Sequence, residues 1–257
     1  MSVISRRKPF QKVKLSDQIL ADLHQWIARE NLQPGDRLPN EKQLMQHYGC
    51  AKGTIREALK ALEIQGFIKM QTGPNGGAEI QPVSLDRVLE QLRAFVHFQT
   101  ITFQHIYALR GTLEIRLAEN VAGRLTDDQL ARLQANIEEC DRLQKSGDYA
   151  KGRRVEIEFH DILTEACDNP ILTVTCRFLN DLLRDLVSMR TDHYGEHRNF
   201  GQHNIDSHRI LLKLLREGDR QKILAAMQEH MCEVEAYMLR ADHQLMGKPG
   251  IRRAEAG

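Results

Sequence analysis

Apolar residues recur at helical spacing near the N-terminus, and a tight turn follows them. Residues 15–30 form a predicted amphipathic helix. Pro34 and Gly35 follow shortly after its last turn. Proline suits the first central position of a type II turn, and glycine accepts the positive φ of the second. The apolar face of this helix comprises Leu15, Ile19, Leu20, Leu23, Trp26 and Ile27.

Two shorter helices are predicted after this turn. Asn40 can cap the first of them, and Gln43, three residues on, completes a capping-box pattern. That helix ends near Gly49, and the next begins near Ala51 with polar residues at its N-terminal end. In a helix-turn-helix, the second helix enters the DNA major groove N-terminus first. The pair therefore predicts a DNA-reading device. The buried stripe of its second helix is Ile55, Ala58, Leu59 and Leu62.

Two extended runs at 67–71 and 78–81 follow, joined by a loop at 72–77 that contains three glycines. Such a hairpin is predicted to form the wing of a winged helix-turn-helix. Beyond residue 84 the alternation typical of strands disappears and long helical patterns replace it. Predicted helices cover 85–99, 103–124, 126–146, 150–167, 170–190, 204–217 and 219–242. The expected fold is mainly α: a winged helix-turn-helix at 1–82, an all-α bundle at 83–246, and a flexible tail at 247–257.

Charge follows this division. Residues 1–82 contain twelve Lys and Arg against eight Asp and Glu, whereas the whole chain has a net charge of only +1. The excess positive charge therefore falls where DNA should bind. A basic arm can follow the DNA backbone, or can serve only as a solubilising tail. Its residues are Arg6, Arg7, Lys8, Lys12 and Lys14.

Cysteine usage and hydropathy limit the class of protein. The five cysteines form no C-x-x-C pair, so they are expected as reduced thiols, mostly buried, rather than as a disulfide framework or a zinc site. No apolar run reaches the roughly twenty residues that cross a membrane. A cytoplasmic location is therefore expected.

Polar residues on apolar helix faces suggest a metal centre in the bundle. Glu156 and His160 are four residues apart and project from one side of a helix. His208 and His230 share helical rows with apolar residues on two further helices. A metal would compensate for burying one carboxylate and three imidazoles. Taken singly, each histidine fits a hydrogen-bonded core residue better than a metal ligand, and only the joint pattern favours a metal.

Arg110 is predicted to face the core of the bundle, since it shares a row with Ile106 and Leu113. A buried guanidinium needs an anion. Glu114, one turn later, can supply it, and so can a bound carboxylate; Arg110 could serve both.

The first part of the chain resembles the DNA-binding domain of the GntR family of bacterial transcription regulators, over about residues 15–82. The family usually has Ser at the position of Asn40 and Ser-Arg-Thr at 51–53, where this chain has Ala-Lys-Gly, a difference that bears on base preference. The matching segments are Pro34-Gly35-Asp36-Arg37-Leu38-Pro39-Asn40-Glu41, Ile55-Arg56-Glu57-Ala58-Leu59 and Leu62-Glu63-Ile64-Gln65-Gly66-Phe67-Ile68. The resemblance implies DNA contacts from Lys42, Lys52, Thr54, Arg56 and wing residue Gly73.

The second part resembles the FCD domain of the FadR-like branch of this family. This resemblance implies a metal held by Glu156, His160, His208 and His230, with Glu156 where the family commonly has Asp. The family's Arg-x-x-x-Glu segment implies that Arg110 clamps a carboxylate effector. Acyl-CoA-binding members lack this metal set, which argues against that ligand class. The matching segments are Glu156-Ile157-Glu158-Phe159-His160-Asp161-Ile162-Leu163, Asp168-Asn169-Pro170-Ile171-Leu172, His208-Arg209-Ile210-Leu211, Glu217-Gly218-Asp219 and Met227-Gln228-Glu229-His230.

The sequence thus predicts a homodimeric, non-enzymatic regulator of a palindromic operator on double-stranded DNA, controlled by a small carboxylate at a divalent metal. Zinc is the first expectation, with nickel, iron or manganese as alternatives. A metal sensor and a metallohydrolase are the competing hypotheses. For a metallohydrolase, the sequence shows no general base beside the metal ligands, and the winged module would have no explanation. His193, His197 and His203 are interpreted as an interhelical loop, with a lid or secondary metal surface as the alternative.

Overall fold

The computed structural model describes residues 13–73, 76–189 and 198–246. The chain divides into two compact units, one ending at Val88 and the other beginning at Leu89. This border lies within one helix that follows the wing. Each unit has its own hydrophobic core.

The first unit is a winged helix-turn-helix. Its elements are α1 (Leu15–Arg29), α2 (Glu41–Tyr48), α3 (Lys52–Ile64), β1 (Ile68–Gln71) and β2 (Gly77–Ile80). The strands pair antiparallel, with Ile68 opposite Ile80 and Gln71 opposite Gly77. Leu23, Leu44 and Ile55 are fully buried between the three helices. The predicted order of elements is confirmed.

Local signals set the boundaries of this unit. Gly35 has φ +97°, and the Asp36 amide donates to the Gln33 carbonyl at 2.9 Å, which closes the predicted turn. Asn40 and Gln43 form both hydrogen bonds of a capping box at the start of α2. Gly49 ends that helix in the left-handed conformation. These short-range predictions are confirmed, because each depends on residues within one turn.

The second unit is all-helical, as predicted. Its helices are α4 (Leu85–Val96), which crosses the border between the units, α5 (Phe103–Val121), α6 (Asp127–Ser146), α7 (Tyr149–Glu165), α8 (Pro170–Met189), α9 (Arg198–Glu217) and α10 (Arg220–Met246). Fully buried Leu117, Leu133, Ile157, Leu163 and Leu183 lie in its core. None of the helices in the described ranges is long and apolar enough to cross a membrane.

Helix α9 begins six residues earlier than the predicted start at residue 204. The segment up to His203 was predicted as an interhelical loop, but Phe200 is buried within the helix and its ring stacks on Tyr237 at 3.8 Å between centroids. Packing of this aromatic pair outweighs the low helix propensity of glycine. The cysteines are free thiols, as expected, but only Cys140 and Cys176 are buried, so the prediction that most are buried was wrong.

Candidate metal centre and DNA-reading surface

Three helices bring the four predicted metal ligands together. Glu156 and His160 lie one turn apart on α7, His208 lies on α9 and His230 on α10. All four are at most 4% exposed. One ligand atom from each residue lies within 4.8 Å of the corresponding atoms of the others. The prediction that these side chains face inward is confirmed.

Glu114 on α5 orients His160. Its Oε2 lies 2.9 Å from Nδ1 of His160, and both side chains are fully buried. Burial works to raise the pKa of Glu114, but His160 and Arg110 outweigh it, so the net pKa is lowered. Burial lowers the pKa of His160. A neutral imidazole therefore donates from Nδ1 to an ionised Glu114, which leaves the lone pair of Nε2 available as a ligand.

The other two histidines also offer neutral ring nitrogens to a metal. Nε2 of His208 lies 3.2 Å from Nε2 of His230 and 3.6 Å from Oε1 of Glu156. Burial lowers the pKa of both histidines well below the ordinary value, so both rings are neutral.

Three of the four groups carry a buried atom that has no hydrogen-bond partner among the described residues. These atoms are Nε2 of His160, Oε1 of Glu156 and Nδ1 of His230. An unpaired buried polar atom costs free energy, and a metal would satisfy the first two at once. Three neutral imidazoles and one carboxylate fit a divalent metal by donor chemistry.

Arg110 on α5 lies next to this cluster and is 1% exposed. Its Nε donates to Oδ1 of Asn180 at 3.1 Å and lies 3.4 Å from Oε1 of Glu114. Nη1 and Nη2 are buried and have no hydrogen-bond partner in the described part of the chain. Contact with Glu114, expected as the structural partner, is therefore present, and two donors of the guanidinium remain unused.

Arg153 was missed in the sequence, although it lies three residues before Glu156 on the same helix. Its Nη1 pairs with Oε2 of Glu156, and its Nη2 donates to the Tyr107 hydroxyl at 2.8 Å. The i, i+3 spacing could have indicated this pair. The contact between Glu114 and His160 joins α5 to α7, so no local spacing could have indicated it.

A chain of polar contacts leads from Arg110 to α8. Asn180, which accepts from Arg110, donates to Oδ1 of Asp161 at 2.9 Å. Asp161 pairs with Arg184. In the same region Arg93 of α4 donates to both oxygens of Asp185, at 2.8 and 3.0 Å. α8 therefore contacts both Arg110 and α4 through polar side chains.

The predicted DNA-contact residues are accessible. Lys42, Lys52, Arg56 and Gly73 are exposed, and Thr54 at the start of α3 is partly exposed. Gly73 has φ +107°, which favours glycine at this position in the wing.

Glu41 on α2 holds two of these basic groups. Nε of Arg56 donates to Oε1 of Glu41 at 2.9 Å, and Nζ of Lys52 lies 3.4 Å from Oε2. The hydrogen bond from Arg56 is the main cause that lowers the pKa of Glu41. Sequence reasoning missed this role, since α2 and α3 meet only in the folded domain.

Of the second histidine cluster, which comprises His193, His197 and His203, only His203 lies in the described part of the chain. His203 is exposed on α9, so the prediction of an interhelical loop was wrong for this residue, and its Nε2 lies 2.6 Å from Oε2 of Glu233. His193 and His197 lie outside the described residues. Within the described ranges, only the cluster of Glu156, His160, His208 and His230 has metal-ligating spacing.

Comparison with known proteins assigns both units. Residues 15–75 match the bacterial regulatory proteins of the gntR family, and residues 105–232 match the FCD domain. The HTH-type transcriptional repressors NanR of Salmonella schwarzengrund and Salmonella newport are each 29% identical over 235 residues. These alignments cover 90% of this chain and 87% and 88% of the relatives.

A solved structure agrees with these matches. The GntR protein of Streptococcus agalactiae superimposes with a TM-score of 0.57 at 26% identity, covering 87% of this chain and all of that one. Together, the domain matches and the fold carry the assignment. The chain is a DNA-binding transcription regulator that belongs to the GntR family of bacterial regulatory proteins, with an FCD domain in its C-terminal part.

Proposed function

We propose that this regulator binds a palindromic operator as a homodimer and that a small carboxylate, bound at a metal centre, sets its operator affinity. The observation that carries the proposal is a set of buried, unpaired polar atoms on the metal-ligand cluster and on Arg110, which Glu114 connects to that cluster. Nε2 of His160, Oε1 of Glu156, and Nη1 and Nη2 of Arg110 all lack partners in the described structure. Two are ligand atoms for a cation and two are donors for an anion.

The metal would be held by Glu156, His160, His208 and His230. Zinc suits an imidazole-rich site best, and nickel, iron and manganese are the alternatives. When bound, it supplies a positive charge and open coordination positions to which a carboxylate oxygen can bind. Glu114 fixes the His160 ring, so this ligand pays little ordering entropy when the metal binds.

Arg110 is the proposed anchor for the carboxylate. A guanidinium presents two parallel N–H groups to a carboxylate, which gives both strength and orientation. Nε of Arg110 is held by Asn180, and its charge is balanced in part by Glu114. An effector that draws Arg110 toward itself would disturb Asn180 and the contacts of α8, including the Arg93 pair on α4.

The DNA contacts are proposed for Lys42, Lys52, Thr54, Arg56 and Gly73. Arg56 is the candidate for reading guanine, since Glu41 engages its Nε and leaves Nη1 and Nη2 for the base. A two-fold dimer matches an inverted repeat. The relatives named above are described as repressors, and we infer the same direction of control here, with action on DNA in the cytoplasm.

A titration of operator affinity separates the candidate functions. Operator binding is measured for metal-free protein, for protein at saturating zinc, and for zinc-loaded protein with a panel of organic and sugar acids. A response to one acid at saturating zinc supports the proposal. A response to zinc alone would instead favour a metal sensor. Equal affinity for operator and scrambled DNA at fixed salt would reject specific recognition altogether.

A further inference from the structure

A chamber adjoins Glu156 on the side of α6 and α9. We call it the Asn204 chamber. It lies between α6, α7 and α9, and Glu156 belongs both to its wall and to the metal cluster. A ligand held at the cluster could therefore extend into it. The wall includes Cys140, Tyr149, Arg153, Glu156, Phe200 and Asn204.

Besides Oε1 of Glu156, which is assigned above to the metal, two polar atoms of this wall have no partner among the described residues. Arg153 uses Nη1 for Glu156 and Nη2 for the Tyr107 hydroxyl, but its Nε is buried and unpaired. Oδ1 of Asn204 is also unpaired, and this side chain is 2% exposed. Apart from the carboxylate of Glu156, the chamber thus offers one unpaired donor and one unpaired acceptor, both shielded from solvent.

The charges of the wall limit what can satisfy these atoms. Arg153 is already paired with Glu156, so the chamber has no net positive charge to attract a second carboxylate. A carboxylate would also place its oxygens near Oδ1 of Asn204, an acceptor, whereas an ammonium would face the Arg153 guanidinium. A hydroxyl both accepts and donates, so it suits Nε of Arg153 and Oδ1 of Asn204 together.

The rest of the wall favours a carbon chain with such hydroxyls. Phe200 is fixed between Tyr237, which stacks on it at 3.8 Å, and the Arg153 guanidinium, 5.2 Å from its ring centroid. With both faces covered, the ring presents its edge to the chamber, which gives the wall a fixed apolar side. Gly152 and Gly201 also line the chamber, and a side chain at position 201 would collide with the Gln144 amide, which lines it too.

From these observations we propose that the Asn204 chamber is the selectivity subsite of the effector, and that it takes an uncharged, hydroxylated part of the molecule. The inference rests on the proposed function, because the carboxylate end would be held at the metal and Arg110. It predicts a hydroxylated acid, such as a sugar acid, over the unsubstituted acid of equal length. Asn204 is thereby a specificity-determining residue rather than a metal ligand.

The test compares paired straight-chain acids of three to six carbons, unsubstituted or fully hydroxylated, on the full-length zinc-loaded protein. Affinities are measured by calorimetry, and thermal shift provides a second readout. We expect at least one hydroxylated acid to bind about tenfold or more tightly than its unsubstituted partner. A 2-hydroxyl can also chelate the metal, so the wild type alone does not isolate the chamber.

The Asn204→Leu variant isolates it. This change removes the acceptor and fills the space, so the preference for the hydroxylated acid should fall to about twofold or less, while affinity for the unsubstituted acid stays nearly constant. The melting temperature without ligand should hold or rise, because an unpaired buried amide oxygen is removed. Asn204→Ala repeats the test should leucine prove too large.

Asn136→Leu is the matched control. Asn136 is a buried amide on α6 that does have a partner, since its Nδ2 donates to the Val155 carbonyl at 2.7 Å. This variant should lose stability and keep the preference for hydroxylated acids.

The outcomes separate the two proposals. If both acid series bind equally well, or if Asn204→Leu keeps the full preference, the chamber is not the selectivity subsite, although effector binding at the metal stands. If no acid of either series binds, the proposed function and this inference both fail.

Discussion

The two units use their polar residues in opposite ways. In the first, Arg56 and Lys52 lie on the surface and share the carboxylate of Glu41, with side-chain exposures of 62%, 55% and 26%. In the second, Glu156, His160, His208 and His230 are buried, and several of their atoms lack partners in the part of the chain described. The functional groups of the first unit are in contact with solvent, whereas those of the second unit are shielded from it.

This contrast has an energetic meaning. Exposed ion pairs contribute about 0–1 kcal/mol, so the DNA-reading side chains can exchange partners at little cost. Buried unpaired groups cost about 1–3 kcal/mol each, and more when charged, so the bundle gains stability from any ligand that pairs with them. Binding of metal and effector should therefore raise the stability of the FCD domain strongly, whereas the stability of the winged domain should hardly change.

Loss of one metal ligand should have the largest effect. His208→Ala should reduce metal content from about one per chain to a small fraction and lower the melting temperature, because bound metal stabilises the fold by mass action. Elemental analysis and thermal melting measure both. His203→Ala is the control on the same helix, since His203 is exposed and pairs only with Glu233 in the described structure. Equal metal content in His208→Ala and wild type would remove His208 from the ligand set.

Replacement of Arg110 should come next. Arg110→Ala should abolish the response of operator affinity to the effector and leave effector-free DNA binding nearly intact. It should also destabilise the bundle by about 3–5 kcal/mol, because Glu114 loses part of its compensation. Arg110→Lys should restore the charge but rescue the response poorly, since an ammonium cannot replace the planar fork.

Operator affinity with and without effector is compared for the wild type and both Arg110 variants. Arg132→Ala, which breaks an ion pair with Glu165 on the bundle surface, is the control. If Arg110→Ala responds like wild type, Arg110 is only the structural partner of Glu114.

The sequence predicted the two units with different completeness. In the first unit, Asn40, Gln43 and Gly49 act within a single helical turn, so pattern and capping located the elements. In the bundle, helical periodicity predicted which face of each helix points inward, and the four metal-ligand residues were predicted on those faces. The pairing of Glu114 with His160 and the presence of Arg153 and Asn204 at one chamber depend on packing between helices distant in the chain, which periodicity does not encode.

In the first unit, Arg56→Ala should weaken specific operator binding by about 1–3 kcal/mol, because it removes a candidate contact to a guanine edge. Binding to scrambled DNA should fall much less. Lys60→Ala is the control, since Lys60 is exposed on the same helix but lies one turn farther from its N-terminus. A loss of equal size on operator and scrambled DNA would assign Arg56 to the phosphate backbone instead.

The smallest effect concerns Glu41, which engages the two basic side chains before DNA arrives. Glu41→Gln should leave the melting temperature almost unchanged, because the pairs are largely solvated. Scrambled DNA should bind a few-fold more tightly, since a negative charge beside the phosphates is removed. The operator should gain less, because Arg56 loses the partner that orients it.

The pH dependence of the Glu41 pairs has a definite sign. Because the pKa of Glu41 is lowered in the folded chain, these pairs contribute stability above its ordinary pKa and lose that contribution as pH falls through the lowered value. Discrimination between operator and scrambled DNA should therefore be unaffected by Glu41 titration near neutral pH. Titrations of both DNAs against wild type and Glu41→Gln at pH 7 measure the difference. An unchanged ratio of the two affinities in the variant would show that Glu41 does not position Arg56.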